Sequence, residues 1–220
     1  MTKAVIFDLY GTLITSREGL EPRDEALSRI LREAGHEVYY QEVWSACQFV
    51  SFIDYPKGRA NTRHEYYAKV LERLEIQPTQ MLISKLATKD LELDETVLYP
   101  DVAPAISALK TRGIKTSIVT TIASWRFEPP LQQNNIEIDY VCTAKESHAV
   151  KPNPKSFIAV LNKFRIQAQQ AMMVGDDVRT DIEPAKKLGV RTVLLCRREK
   201  VECKTADHVI SSLSELPNLL

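Results

Sequence analysis

The sequence predicts an α/β fold in which a group of helices interrupts a doubly wound parallel sheet. Six short runs are rich in β-branched residues and are apolar throughout rather than alternating. Such runs are typical of strands buried on both faces of a parallel sheet. Helical patterns separate the later runs, which indicates repeated β-α units. Between residues 15 and 96 this alternation stops, and helical patterns follow one another without a strand.

The predicted strands are KAVIFD at 3–8, KTSIVTT at 115–121, YVCTA at 140–144, AMMVGDD at 171–177, RTVLLC at 191–196 and HVI at 208–210. Helices are predicted at 101–113, 153–164 and 181–189. The first of these places Val102, Ile106 and Leu109 on one face and ends at Gly113, a residue that commonly terminates helices. We therefore assign residues 1–14 and 97–220 to one sheet-containing core.

The interrupting segment contains four amphipathic helical patterns, at 23–36, 39–50, 62–75 and 79–93. We predict that residues 15–96 form a separate helical domain, with hinges near 14–17 and 97–100. Its aromatic residues Trp44, Phe49 and Phe52 are expected to pack in the core of that domain.

The composition excludes several classes of protein. The chain has 220 residues, with 29 basic and 29 acidic side chains, so no basic field favours nucleic acid or an anionic membrane as a partner. Its apolar runs are too short to span a bilayer. Four cysteines without CxxC spacing predict neither a zinc site nor a redox dithiol. With no signal-peptide pattern at the N-terminus, we expect a reduced, cytoplasmic protein.

Polar residues of distinct types follow four of the predicted strands. They are Asp8, Thr120, Lys151 and the pair Asp176-Asp177. The carboxyl ends of parallel strands face one crevice, which is the usual ligand site of such sheets. Loop solvation could explain any one of these residues alone, but the ordered set predicts a functional site.

These residues resemble the motifs of the haloacid dehalogenase superfamily of hydrolases, and the resemblance covers the whole chain. The four motifs are DLYGTL at 8–13, IVTT at 118–121, KPNPKSF at 151–157 and VGDDVRTDIEPAKKLG at 174–189. The resemblance implies a Rossmann-like core and a nucleophile at Asp8. It also implies that the inserted helices are a C1-type cap, which selects the substrate.

The resemblance also implies a role for each motif residue. Asp8 would attack in line and form a covalent aspartyl intermediate, while Lys151 and Mg²⁺ would offset the charge of an anionic substrate. Mg²⁺ prefers oxygen ligands, and the implied set is Asp8, the backbone carbonyl of Tyr10, Asp176, Asp177 and Asp181. Hydrogen bonds to a bound anion are expected from Thr120, Gly11, Thr12 and Thr121.

Tyr10 departs from the family's phosphatases, which have an acid two residues after the nucleophile. A tyrosine is mostly protonated at neutral pH and donates a proton only weakly. The L-2-haloacid dehalogenases also have Asp-x-Tyr-Gly-Thr, because a halide leaves without a proton. In that alternative Lys151 would bind the carboxylate of the substrate.

Other positions favour a phosphatase. Dehalogenases have Ser and Asn where this chain has Asp176 and Asp177, and Tyr where it has Phe157. Their halide-binding Arg has no counterpart near EVWSACQ at 42–48, although Arg59 or Arg63 could substitute.

We therefore predict a Mg²⁺-dependent phosphohydrolase acting on a small phosphorylated metabolite, as a monomer or homodimer. One alternative is a metal-independent 2-haloacid dehalogenase that forms an aspartyl ester at Asp8. A second alternative is a non-catalytic homologue that binds a ligand or partner.

Overall fold

The computed structural model describes residues 1–17, 19–94, 96–198 and 202–220. Its strands in chain order are β1 Ala4–Phe7, β2 Ile14–Ser16, β3 Thr96–Leu98, β4 Lys115–Val119, β5 Tyr140–Cys142, β6 Ala171–Gly175, β7 Arg191–Leu195 and β8 His208–Ile210. Its helices are α1 Arg23–Glu33, α2 Tyr40–Phe49, α3 Arg63–Arg73, α4 Gln80–Leu93, α5 Val102–Thr111, α6 Glu128–Gln133, α7 Ala144–Ser147, α8 Lys155–Phe164 and α9 Glu183–Lys187.

Six strands form one sheet in the order β5-β4-β1-β6-β7-β8, and every neighbouring pair is parallel. All six lie within the runs predicted from the sequence. The signal is strong because these strands are apolar nearly throughout, and every residue of β1 and β6 is buried. The α/β fold with a doubly wound, Rossmann-like parallel sheet is confirmed.

Helices cover both faces of this sheet. On one face, Phe7 and Val174 pack with Leu109 of α5 in one apolar cluster. On the other face, Ile6 packs with Val160 of α8 in a second cluster. Because both faces are buried, ligands reach the sheet only at its edges and ends.

Helices α1 to α4 lie between β2 and β3 in the chain and build a core of their own. Three of these helices contribute fully buried side chains to it: Leu27 from α1, Tyr67 and Leu71 from α3, and Leu86 from α4. The predicted helical domain, 15–96, contains Glu18 and Glu95, which lie outside the described residues.

Strands β2 and β3 form a separate antiparallel ribbon at the point where the chain leaves and re-enters the sheet-containing part. Ile14 lies opposite Leu98, and Ser16 lies opposite Thr96. The sequence did not predict this ribbon, in which most residues are only partly buried. The stretches proposed as hinges are therefore paired with each other.

Among the described residues, we find no helix with the length and apolar character that crossing a bilayer requires.

Candidate active site

The carboxyl ends of the central strands bring together three of the residues singled out in the sequence. In the sheet register Phe7 lies opposite both Ile118 and Val174. Asp8, Thr120 and Asp176 directly follow β1, β4 and β6, so they lie at one end of the sheet. The Asp8 N–H extends the sheet by donating to the Val174 carbonyl at 2.9 Å.

Lys151 reaches this point from the loop before α8 and bridges two carboxylates. Its ammonium group forms one short ion pair with Asp8 and a second, of 2.6 Å, with Asp181 Oδ1. All three side chains are almost entirely buried. Burial alone would lower the pKa of Lys151, but the charges of Asp8 and Asp181 raise it above its ordinary value. Lys151 therefore stays protonated and orients Asp8.

Asp8, Asp176 and Asp181 form an acidic cluster whose contributing oxygens all lie within 4.8 Å of one another. Burial, followed by the charge of Asp8, raises the pKa of Asp176 to about 6. The same two causes raise the pKa of Asp181. Three carboxylates against one ammonium leave a surplus of negative charge. A hard divalent cation fits this donor set, because Mg²⁺ and Ca²⁺ are bound by oxygen ligands.

Two glycines allow the close approach of these carboxylates. Gly11 has φ of +83°, and a Cβ added there would lie 2.8 Å from Asp176 Cγ. A Cβ at Gly175 would lie 2.6 Å from Asp181 Cγ. Both contacts are closer than side chains tolerate, so glycine at these positions makes room for the acidic cluster. Gly175 was missed in the sequence, although its place between a buried strand and two acids was a usable signal.

Asp177 lies outside the cluster and caps the turn that follows it. Its carboxylate accepts hydrogen bonds from Arg179 N at 2.7 Å and Thr180 N at 2.8 Å. Burial opposes its ionisation, but these hydrogen bonds lower its pKa below the ordinary value. The structure thus brings Asp181, and not Asp177, to the other two acids.

The residues expected to bind an anion occupy different environments. Thr120 is buried, and its hydroxyl accepts the Ile122 N–H at 3.1 Å. The Thr12 hydroxyl is buried without a hydrogen-bond partner among the described residues, which leaves it able to donate to a ligand. Thr121 lies on the wall of a neighbouring cavity.

Tyr10 points away from the acidic cluster and toward the β2–β3 ribbon. Its hydroxyl accepts the Ser16 N–H at 3.0 Å and also makes a short hydrogen bond with the Ser16 hydroxyl. The side chain remains 42% exposed. Tyr10 therefore borders the same cavity as Thr121.

This cavity has a volume of about 360 Å³ and lies between the inserted helices and the end of the sheet. Trp44 and Phe52 line it and are 53% and 44% exposed. The expectation that both belong to a packed core is wrong. An amphipathic pattern such as that of α2 shows which residues are apolar. It does not distinguish apolar residues that pack in a core from apolar residues that line a cavity.

A buried ion-pair network lies behind the cavity. Asp90 of α4 is fully buried and pairs with three arginines, at 2.6 Å with Arg23, 3.1 Å with Arg63 and 3.1 Å with Arg126. Asp94 accepts from Arg63 at 2.7 Å. This network was not predicted from the sequence, since its arginines are far apart in the chain.

The two arginines considered as halide-binding residues lie outside the site. Arg63 belongs to the network, Arg59 pairs with Asp54 at 3.5 Å, and neither lines the cavity. Phe157 is fully buried among the apolar residues of the sheet.

An oriented carboxylate at the end of a doubly wound sheet, covered by an inserted helical domain, is typical of hydrolases that use a side-chain nucleophile. The family description "haloacid dehalogenase-like hydrolase" matches residues 2–189. The chain belongs to this family of hydrolases.

Named relatives and solved structures are similar over the full chain. A glyceraldehyde 3-phosphate phosphatase of Methanocaldococcus jannaschii is 28% identical, with 100% of this chain and 97% of the relative aligned. A ribulose-1,5-bisphosphate 5-phosphatase of Halopiger xanaduensis is 26% identical, with 100% of both chains aligned. A 2-haloacid dehalogenase of Pseudomonas syringae pv. tomato DC3000 superposes with a TM-score of 0.76 at 22% identity, covering 100% of this chain and 98% of that one. At that identity the structural likeness concerns the fold.

Proposed function

We propose that this protein is a Mg²⁺-dependent phosphohydrolase that works through an aspartyl-phosphate intermediate at Asp8. The observation that carries the proposal is the acidic cluster of Asp8, Asp176 and Asp181 beside a single lysine. An enzyme that releases halide from a carboxylate substrate has no use for this surplus of negative charge, whereas a cation-dependent phosphatase does. The relatives named phosphatases support the same choice.

The proposed reaction has two steps. A carboxylate oxygen of Asp8 attacks phosphorus in line, the bond from phosphorus to the leaving oxygen breaks, and the phosphoryl group is bound to Asp8. Water then attacks the acyl phosphate, which releases inorganic phosphate and restores the carboxylate. Lys151 holds Asp8 in place and offsets part of the charge on the phosphoryl oxygens.

The metal ligands in this proposal are Asp8, Asp176 and Asp181, with the Tyr10 carbonyl carried over from the family motif. When bound there, Mg²⁺ supplies the positive charge that lets an anionic substrate approach an anionic nucleophile. Thr120, Thr12 and Thr121, with the Gly11 backbone, are the proposed hydrogen-bond donors to the phosphoryl oxygens.

Tyr10 determines which leaving groups the site serves well. Loss of general-acid assistance typically costs about 10²–10⁴-fold in rate. A leaving group of low pKa avoids most of this cost because it departs without a proton. Aryl and acyl phosphates are therefore the proposed substrate class, ahead of alkyl phosphates.

A single panel tests the proposal. Phosphate esters of graded leaving-group pKa are assayed with Mg²⁺ and with EDTA, next to 2-chloropropionate, using wild type and Asp8→Asn. We expect Mg²⁺-dependent phosphate release that falls as the leaving-group pKa rises and that Asp8→Asn abolishes. A rate independent of leaving-group pKa would refute the role given to Tyr10. Halide release without metal would contradict the assignment as a phosphatase and support the assignment as a dehalogenase.

A further inference from the structure

The cavity beside the acidic cluster is placed to receive the leaving group of a substrate. Tyr10, Thr121 and Ile122 form its lower wall, and they are one or two residues from Asp8 or Thr120. In the proposed reaction, a group attached to a phosphoryl at Asp8 would enter this space past these wall residues. Its volume of about 360 Å³ suits a small ligand, since such pockets begin near ~300 Å³.

The upper wall of the cavity is aromatic. Trp44 and Phe52 of the segment that begins with α2 lie there, together with Tyr55 and Tyr66. Trp44 and Phe52 are the two most exposed aromatic side chains of this wall. Flat aromatic side chains favour a ring as the occupant, because stacked and edge-to-face ring pairs attract each other.

The positive charges that border the cavity are already paired. Arg23 and Arg126 are the two basic side chains of its wall, and both contact Asp90. Arg23 also contacts Asp94 Oδ1 at 3.4 Å, and Arg126 lies 3.8 Å from the same oxygen. Binding a second anion would require these arginines to leave buried partners, which is costly.

The negative charges on the wall are Asp24 and Asp94. Asp94 belongs to the buried network, but Asp24 forms no hydrogen bond or ion pair with any residue in the described part of the chain. Burial raises the pKa of Asp24, and the nearby positive charges of Arg23 and Arg126 offset part of this rise. Asp24 is therefore the one acidic side chain in the described wall that no hydrogen bond or ion pair holds, and it is the carboxylate that an anion entering the cavity would meet.

From this arrangement we infer that the cavity selects an uncharged aromatic leaving group, and that Asp24 rejects leaving groups with a second negative charge. The inference rests on the proposed function and narrows its substrate class to aryl phosphate monoesters without a second anionic group. Bisphosphates and pyrophosphate are excluded on the same grounds.

The test compares two ligands that differ in charge and hardly in shape. They are 3-(carbamoylmethyl)benzylphosphonate, which carries an amide, and 3-(carboxymethyl)benzylphosphonate, which carries a carboxylate. Neither phosphonate is hydrolysed, so the binding affinity of each is measured by calorimetry with Mg²⁺ and does not depend on turnover. We expect wild type to bind the amide about tenfold more tightly than the carboxylate, because like charges placed together weaken association. In Asp24→Asn this ratio should fall to about twofold or less.

Glu25→Gln is the matched control, since Glu25 is the next residue of α1, is exposed and does not line the cavity. It should keep the wild-type ratio. Equal binding of the two ligands to wild type, no binding of either, or an unchanged ratio in Asp24→Asn would each overturn the inference. The phosphate-ester panel decides the proposed function separately, so failure of one can be told from failure of the other.

Discussion

Tyr10 is the residue of the first motif whose chemistry bears most on the proposed reaction. Its hydroxyl is engaged with Ser16 of the β2–β3 ribbon and not with Asp8. Phenols in general donate protons weakly at neutral pH. The first motif of this chain therefore combines the proposed nucleophile with little means of protonating an alkoxide.

Replacing Tyr10 by aspartate should supply a side chain that can protonate a leaving alkoxide. We expect Tyr10→Asp to raise kcat for alkyl phosphates by about 10²-fold, with little change for aryl phosphates, because only poor leaving groups need the proton. The measurement is steady-state hydrolysis of a glycerol phosphate and of 4-nitrophenyl phosphate with Mg²⁺. Tyr10→Phe is the control, since it keeps the ring and cannot donate. Unchanged or lower alkyl turnover in a folded Tyr10→Asp variant would contradict the argument.

At the scale of elements, the turn after β6 places two adjacent acids in opposite electrostatic situations. Asp176 joins the acidic cluster, where burial and Asp8 raise its pKa to about 6. Asp177 caps the next turn, where hydrogen bonds lower its pKa. A raised native pKa means that ionised Asp176 costs stability above that pH, and the cost disappears as the carboxyl becomes protonated. A lowered native pKa means that ionised Asp177 adds stability, which is lost on acidification.

The two substitutions should therefore shift stability in opposite directions. At pH 8 in EDTA, we expect Asp176→Asn to raise the free energy of unfolding by about 1 kcal/mol, a value reduced for the solvent exposure of this side chain. Asp177→Ala, which removes the cap, should lower it by about 1 kcal/mol. The gain from Asp176→Asn should shrink as the pH falls from 6 toward 4. Urea unfolding at several pH values measures both, and shifts of the same sign would be inconsistent with these assignments.

The elements themselves could be predicted where their signal is periodic. The six strands of the sheet are apolar runs, and α1 to α4 are amphipathic over several turns, so both could be read from residue order. Strands β2 and β3 were not predicted; most of their residues are only partly buried, unlike those of the central strands β1 and β6. The motif residues Asp8, Lys151 and Asp176 were predicted by type and order. Gly175 was overlooked although it lies between a buried strand and two acids, and the close approach of Asp181 shows why a glycine is needed there.

At the scale of the whole molecule, the segment after β4 joins the sheet to the inserted helices. Trp125 packs edge-on against Tyr55 and Tyr66, with ring centroids 5.6 and 6.2 Å apart. Its neighbour Arg126 enters the buried network at Asp90 of α4. This connection could not be predicted, since charged residues separated by tens of positions carry no periodic signal. It fixes the helices above the end of the sheet and thereby sets the shape of the cavity.

Arg126 should consequently contribute to the stability of the whole chain as well as to the site. In Arg126→Met, Asp90 keeps Arg23 and Arg63 but loses one buried hydrogen bond to a charged group, which costs about 2 kcal/mol. Urea unfolding followed by tryptophan fluorescence and by circular dichroism measures the loss. Arg59→Met is the control, because that arginine is 60% exposed and its ion pair with Asp54 spans 3.5 Å. Exposed pairs contribute about 1 kcal/mol or less. If both variants lost equally little stability, the network would not hold the inserted helices to the sheet.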